Sequence, residues 1–145
     1  MKTQFNITSM KWDLERYTSV EDFTTALEGF DGVELESSLL KNADRQTVAC
    51  HLKELGLEVC SIRSPFARTG YGLEDMIAEA KAMNCVNVGV GTVTASYFTM
   101  GPAGMEKYLE QASKVCGKFS QEGVRPLYSL RFHEFMRQSD GVWPF

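Results

Sequence analysis

The stretch Phe30-Asp31-Gly32-Val33-Glu34-Leu35-Glu36 decides the fold class of this chain. Phe30-Asp31-Gly32 breaks a helix, and Val33-Glu34-Leu35-Glu36 follows as a short strand. Period-two alternation puts Val33 and Leu35 on one face and Glu34 and Glu36 on the other. The same grammar recurs along the sequence, with strand starts near Phe5, Gly32, Leu57, Val86 and Val124. These starts lie roughly 25–40 residues apart, the size of one strand–helix–strand crossover. Strands alternating with amphipathic helices imply a parallel sheet, whose functional groups gather at the C-terminal strand ends.

The segments between the strands read as helices. Upstream, Ser19-Val20-Glu21-Asp22 opens a helix with Val20, Phe23, Leu27 and Phe30 on its apolar face. Downstream, Asp44 caps a helix carrying Val48, Leu52 and Leu55, which stops at Gly56. Leu57 to Ile62 is an almost unbroken apolar strand. Leu73, Met76, Ile77, Ala80 and Met83 mark the next helix, and Val86–Val90 the fourth strand. Met105, Tyr108, Leu109, Ala112, Cys116 and Phe119 form the longest helical stripe, which Gly123 ends. Val124 to Leu130 is the fifth strand, and Pro126 within it suits a strand start or a sheet edge.

The chain has 145 residues, 43% apolar and 23% charged, with a net charge of −4. That length is read as a single α/β domain over residues 1–145. The acidic balance offers no basic stripe for nucleic acid. No apolar run reaches the length of a membrane span, and no signal-peptide pattern opens the chain. Cys50, Cys60, Cys85 and Cys116 are widely spaced beside apolar stretches and read as buried reduced thiols of a cytoplasmic protein.

Several strings together resemble one family. Phe30 to Leu35 is similar to the second strand of xylose-isomerase-like TIM barrels, the sugar phosphate isomerase/epimerase superfamily. Leu55 to Cys60 resembles that family's third strand, and Ala78 to Cys85 its helix leading to strand four. Tyr128 to Phe135, followed by Asp140-Gly141, resembles its segment at strand five. The resemblance implies a partial (β/α) barrel of about five parallel strands with helices outside, since a closed barrel needs eight. A five-stranded doubly wound sheet of flavodoxin-like size is the alternative. Five strands in barrel curvature would leave two strand edges and an apolar inner face open, and an exposed edge invites a homo-oligomer.

By the same resemblance, the implied activity is isomerisation or epimerisation of a sugar or sugar phosphate by proton transfer, assisted by a divalent metal. Tyr128-Ser129-Leu130-Arg131 stands where the family has histidines and an amide, and Arg63 where strand three commonly ends in histidine. The alternative is therefore a non-catalytic remnant that binds a sugar or a partner. A divalent metal (manganese, magnesium or zinc) and no cofactor at all both fit these residues.

The candidate roles follow. Glu134 is metal ligand or base, His133 an auxiliary ligand to metal or substrate, and Glu34 the second catalytic carboxylate. Arg63 and Arg131 are candidate anion clamps for substrate, with Arg68 a third arginine in reach if the strand ends gather them. Equally, Glu34 or Glu36 can pair with Arg63 or Arg131, and the arginines can balance charge without a ligand. Trp12, Tyr17, Tyr71, Tyr97 and Trp143 fall in loops, as sugar platforms or as packing.

Overall fold

In the computed structural model, residues 4–6, 29–40, 44–129 and 131 are described. The helix expected from Ser19, Trp12, Tyr17, His133, Glu134 and Trp143 lie outside them. Five strands run in sequence: β1 (Gln4–Asn6), β2 (Gly32–Glu36), β3 (Glu58–Arg63), β4 (Asn87–Gly89) and β5 (Arg125–Leu127). All are parallel, in the order β1-β2-β3-β4-β5. Between them lie α1 (Ser37–Leu40), α2 (Arg45–Glu54), a 3-10 turn (Phe66–Gly70), α3 (Leu73–Ala82), α4 (Ala95–Phe98) and α5 (Pro102–Gln121).

Strand order settles the choice left open above. A doubly wound sheet reverses its order at a switch point, which sends helices to both faces. Here every strand follows its predecessor, so right-handed crossovers lay the helices on one face. Val33, Leu35, Ile62 and Val88 point to that face and are buried with Val48, Leu52, Met76, Ile77, Tyr108, Val115 and Phe119 from the helices. The architecture is a partial TIM-type barrel, and the flavodoxin-like alternative is set aside.

The opposite, inner face differs from expectation. The rows that pair across the sheet place Glu34 beside Ser61, Glu36 beside Arg63, and Arg63 beside Gly89. Asn87 lies on the same face, two residues before Gly89. In closed barrels this face is filled by bulky apolar side chains. Across β2, β3 and β4 it is polar, and Leu127 of β5 adds an exposed apolar side chain beside Gly89. On the β4 side of β5, the Arg125 amide donates to the Val86 carbonyl and the Leu127 carbonyl accepts from the Val90 amide. By alternation the ring nitrogen of Pro126 faces away from β4, so it takes no donor from the β4–β5 ladder.

Local chemistry explains the element ends. Asp44 Oδ1 accepts from the Gln46 amide at 3.3 Å, and Oδ2 from the Thr47 hydroxyl at 2.5 Å, which caps α2. These bonds, the Thr47 hydroxyl first, hold the Asp44 carboxyl below its ordinary range. Gly56 adopts φ +73° just past α2, a conformation that suits glycine. Leu55, read as part of the α2 stripe, is instead 45% exposed at the C-cap.

On α5 the buried line is Gly104, Tyr108, Val115 and Phe119. Leu109 is 54% exposed and Cys116 is exposed as well, so the broad stripe read from sequence includes an uncovered flank. Among the cysteines, only Cys85 is fully buried; Cys60 is partly buried, and Cys50 is exposed. Burial raises the Cys60 and Cys85 thiols above their ordinary value.

Gly104 allows α5 to approach α4 closely. A Cβ at this position would lie 2.0 Å from the Tyr97 carbonyl oxygen and 2.7 Å from Met100 Cβ. Gly104→Ala should therefore cost about 1–3 kcal/mol by overpacking, read as a lower urea midpoint. An unchanged midpoint would show that α4 moves aside freely.

Candidate functional site

The candidate site is built at the C-terminal ends of β2 and β3. Glu36 and Arg63 are the last residues of their strands, and Glu34 and Ser61 lie one layer deeper. Their shared face comes from strand alternation, and their adjacency from the β2–β3 register. A register irregularity beside Glu34 lets Ser61 pair with it, leaving Cys60 as the extra residue of a bulge. The Cys60 thiol donates to the Val33 carbonyl at 2.9 Å, which ties the bulge to β2.

Arg63 Nε lies 3.8 Å from Glu34 Oε1 and 3.7 Å from Glu36 Oε1. The Ser61 hydroxyl donates to Glu34 Oε2, so both oxygens of Glu34 are oriented by β3. Arg63 Cγ is 3.4 Å from where a Cβ on residue 89 would stand. Bare backbone at Gly89 thus leaves room for the arginine to run across β4. Just past the strand ends, the Ser37 hydroxyl donates to Ser64 Oγ at 3.2 Å, and the Ser64 amide to the Gly89 carbonyl at 2.7 Å. These bonds staple the ends of β2, β3 and β4 behind the charged side chains.

Three residues singled out from the sequence come together: Glu34, Glu36 and Arg63. Arg131 is exposed, beyond the last residue of β5. Arg68 is not available as a clamp. It makes a bidentate pair with buried Glu79, at 2.7 and 2.8 Å, and lies 3.8 Å from Asp75. Arg45 reaches the same Glu79 at 3.3 Å. This carboxylate, chiefly by its hydrogen bonds, pushes the Arg68 guanidinium further up.

Tyr97 is packing rather than a platform: its ring stands edge-on to Phe66 and Tyr108, and its hydroxyl donates to Gln111 at 2.7 Å. Tyr71 is exposed. Sequence reading passed over Ser61. Its signal was its position two residues before Arg63, on the face that β3 shares with Glu34 and Glu36. Asn87 was passed over too; its Nδ2 donates to the Cys60 carbonyl at 2.8 Å, while Oδ1 is buried without a partner.

A concavity lies at the opposite, N-terminal end of β3. It encloses about 620 Å³ between α2 and α3, lined by Gln46, Cys50, Lys53, Glu58 and Asn84 among others. It holds none of the strand-end residues singled out above.

The described donor set does not suit a resident divalent metal. Among the described residues, no three His, Cys, Asp or Glu side chains gather as a ligand group. Both rim carboxylates also face the fixed positive charge of Arg63, which opposes a second cation between them.

Sequential parallel strands with helices on one face define a partial (β/α) barrel, with polar groups at its C-terminal rim. Known structures share it. A sugar phosphate isomerase/epimerase from Parabacteroides distasonis superposes with a TM-score of 0.71 at 10% identity, over 99% of this chain and 58% of that one. The probable 3-DHS dehydratase of petrobactin synthesis from Bacillus anthracis gives 0.65 at 17% identity, over 88% and 52%. The IOLI protein, solved with a zinc atom, gives 0.51 at 16% identity, over 88% and 51%. This chain thus spans about half the length of these three structures. At these identities the likeness is one of fold. No family model matches the sequence, and no curated protein does. No helix among the described residues is long and apolar enough to cross a membrane.

Proposed function

We propose that this chain is part of a small-molecule barrel whose rim at Glu34, Glu36 and Arg63 binds a sugar or sugar phosphate. The observation that carries the reading is the guanidinium of Arg63 set between two carboxylates at the strand ends. Carboxylates accept hydrogen bonds from ligand hydroxyls, and a guanidinium donates to hydroxyl, carbonyl or phosphate oxygens. Vicinal hydroxyls of a sugar offer that mix of donors and acceptors at close spacing. The superposition on a protein named as a sugar phosphate isomerase/epimerase supports the same ligand class. We place the chain as a single α/β domain in the cytoplasm, in keeping with its free cysteines.

A second reading adds catalysis. Glu34 stands in the mouth, where a carboxylate takes a proton from the carbon beside a sugar carbonyl and returns it to a neighbouring position. In that reading Glu134 is the second carboxylate, with His133 beside it, and Arg131 joins Arg63 in holding the substrate. Turnover of a ketose or aldose by the isolated chain, lost in Glu34→Gln and Glu134→Gln, would establish it. Binding without turnover would leave the first reading alone.

The binding reading is tested by calorimetric titration with pentoses, hexoses and their phosphates. The expected result is saturable binding that weakens about tenfold in Arg63→Met and in Glu34→Gln, the scale of one hydrogen bond to a charged group. No saturable binding by any sugar or sugar phosphate would overturn it.

A further inference from the structure

Resting on the sugar-binding reading above, we infer that Asn87 is a positioning residue of the rim. Its side-chain amide fixes which residue of β3 bulges out of the ladder, and so sets Ser61 against Glu34. Val33 pairs with Val59 but Glu34 pairs with Ser61, which leaves Cys60 as the extra residue. Without an extra residue, alternation would turn Ser61 and Arg63 to the helix side and Ile62 to the mouth. Ile62 is 1% exposed and belongs to the core, so its burial enforces the shifted register from Leu35 onward. That burial does not decide where the extra residue falls. With Ser61 as the extra residue, Leu35 would still pair with Ile62 and Glu36 with Arg63, but Glu34 would meet Cys60 and lose the Ser61 hydroxyl.

Two side-chain bonds select Cys60. Asn87 Nδ2 donates to the Cys60 carbonyl at 2.8 Å from β4, and the Cys60 thiol donates to the Val33 carbonyl at 2.9 Å on β2. A bulge disrupts the ladder around its extra residue, and the Asn87 amide supplies a donor there from a side chain. It does so at the expense of stability, because Asn87 Oδ1 is left buried without a partner. An apolar side chain at this position would avoid that penalty and forfeit only the bond to Cys60. Local frustration beside a site marks a residue that serves geometry there. The geometry served is that of Glu34, whose Oε2 accepts from the Ser61 hydroxyl once Cys60 is held out of the ladder.

The test is a double-mutant cycle on the full chain, Asn87→Leu with Ser61→Ala. It is read by calorimetric titration with D-fructose and D-xylulose, and by the side-chain carboxyl carbon resonances of Glu34 and Glu36. Each single variant is expected to bind about threefold more weakly, the scale of one hydrogen bond. The double variant is expected to bind no more weakly than either, because both changes remove the same Ser61–Glu34 bond. The Glu34 resonance should move in the same direction in both single variants, while that of Glu36 stays, since Glu36 pairs with Arg63 for either position of the bulge. Losses that multiply to about ninefold in the double variant overturn the inference. A Glu34 resonance unmoved in Asn87→Leu, with a lower urea midpoint, shows a purely structural role and overturns it too. If no sugar or sugar phosphate binds the wild type, the sugar-binding reading falls and the carboxyl resonances alone decide the placement of Ser61. Should Asn87→Leu not fold, Asn87→Ser, too short to reach the Cys60 carbonyl, is read in the same way.

Discussion

Replacing Glu79 with alanine is expected to destabilise the protein by about 3–5 kcal/mol, the range for breaking one partner of a buried ion pair. Glu79 is 1% exposed and accepts a two-bond fork from Arg68 as well as a bond from Arg45. It sits on α3, Arg68 in the 3-10 turn and Arg45 at the start of α2, so one carboxylate joins three elements. Without it, among the described residues, the Arg68 guanidinium is left with the exposed, 3.8 Å contact to Asp75. The check is a urea denaturation curve, set against Glu110→Ala. Glu110 pairs with Lys114 on the exposed face of α5, and such surface pairs contribute little. A Glu79→Ala midpoint equal to that of the surface control would contradict the account of the buried pair.

Phe119→Ala is expected to cost a comparable amount, about 3–5 kcal/mol, through lost burial and the cavity left behind. Phe119 is the largest fully enclosed side chain among the described residues, at 0% exposure. Its carbonyl also accepts from the Val124 amide at 2.8 Å, which links the end of α5 to the start of β5. Phe119→Leu should recover much of the loss, because it refills most of the volume. The same denaturation experiment decides. If the alanine and leucine variants match wild type, Phe119 does not anchor the sheet-facing side of α5.

Much of this arrangement was readable in the residues. Asp44 and Gly56 bracket α2 as capping chemistry demands, and the glutamates of β2 fall on one face by simple alternation. The inner polar face was also present as a pattern: Glu34 and Glu36, Ser61 and Arg63, Asn87 and Gly89, each two residues apart. Expecting an apolar lumen obscured it. What the sequence did not disclose was which part of a wide apolar arc the fold would cover. On α5, Met105, Leu109 and Cys116 belong to the same arc as Tyr108 and Phe119, yet burial is centred on Tyr108, Val115 and Phe119. Periodicity gives an arc; its centre depends on neighbours that lie far away in sequence.

Arg68 shows the same dependence. Its role as a structural cation required knowing that Glu79, eleven residues away, turns inward from α3. An acidic residue in the middle of a helix ordinarily faces water. Short elements escaped as well: α1, α4 and the 3-10 turn at Phe66–Gly70 are each too brief to show a period. In the turn, the Thr69 hydroxyl donates to the Phe66 carbonyl at 2.7 Å and accepts from Gln111 Nε2 at 2.8 Å, so much of its order comes from α5 rather than from local propensity.

The central claim is that ligand meets this protein at the C-terminal strand ends. Amide chemical-shift mapping during titration with an unphosphorylated sugar tests it most directly. The account predicts saturable shifts centred on Glu34, Glu36, Ser61, Arg63 and Gly89. Shifts confined instead to Gln46, Cys50, Lys53, Glu58 and Asn84, around the concavity at the opposite, N-terminal end of β3, would contradict it.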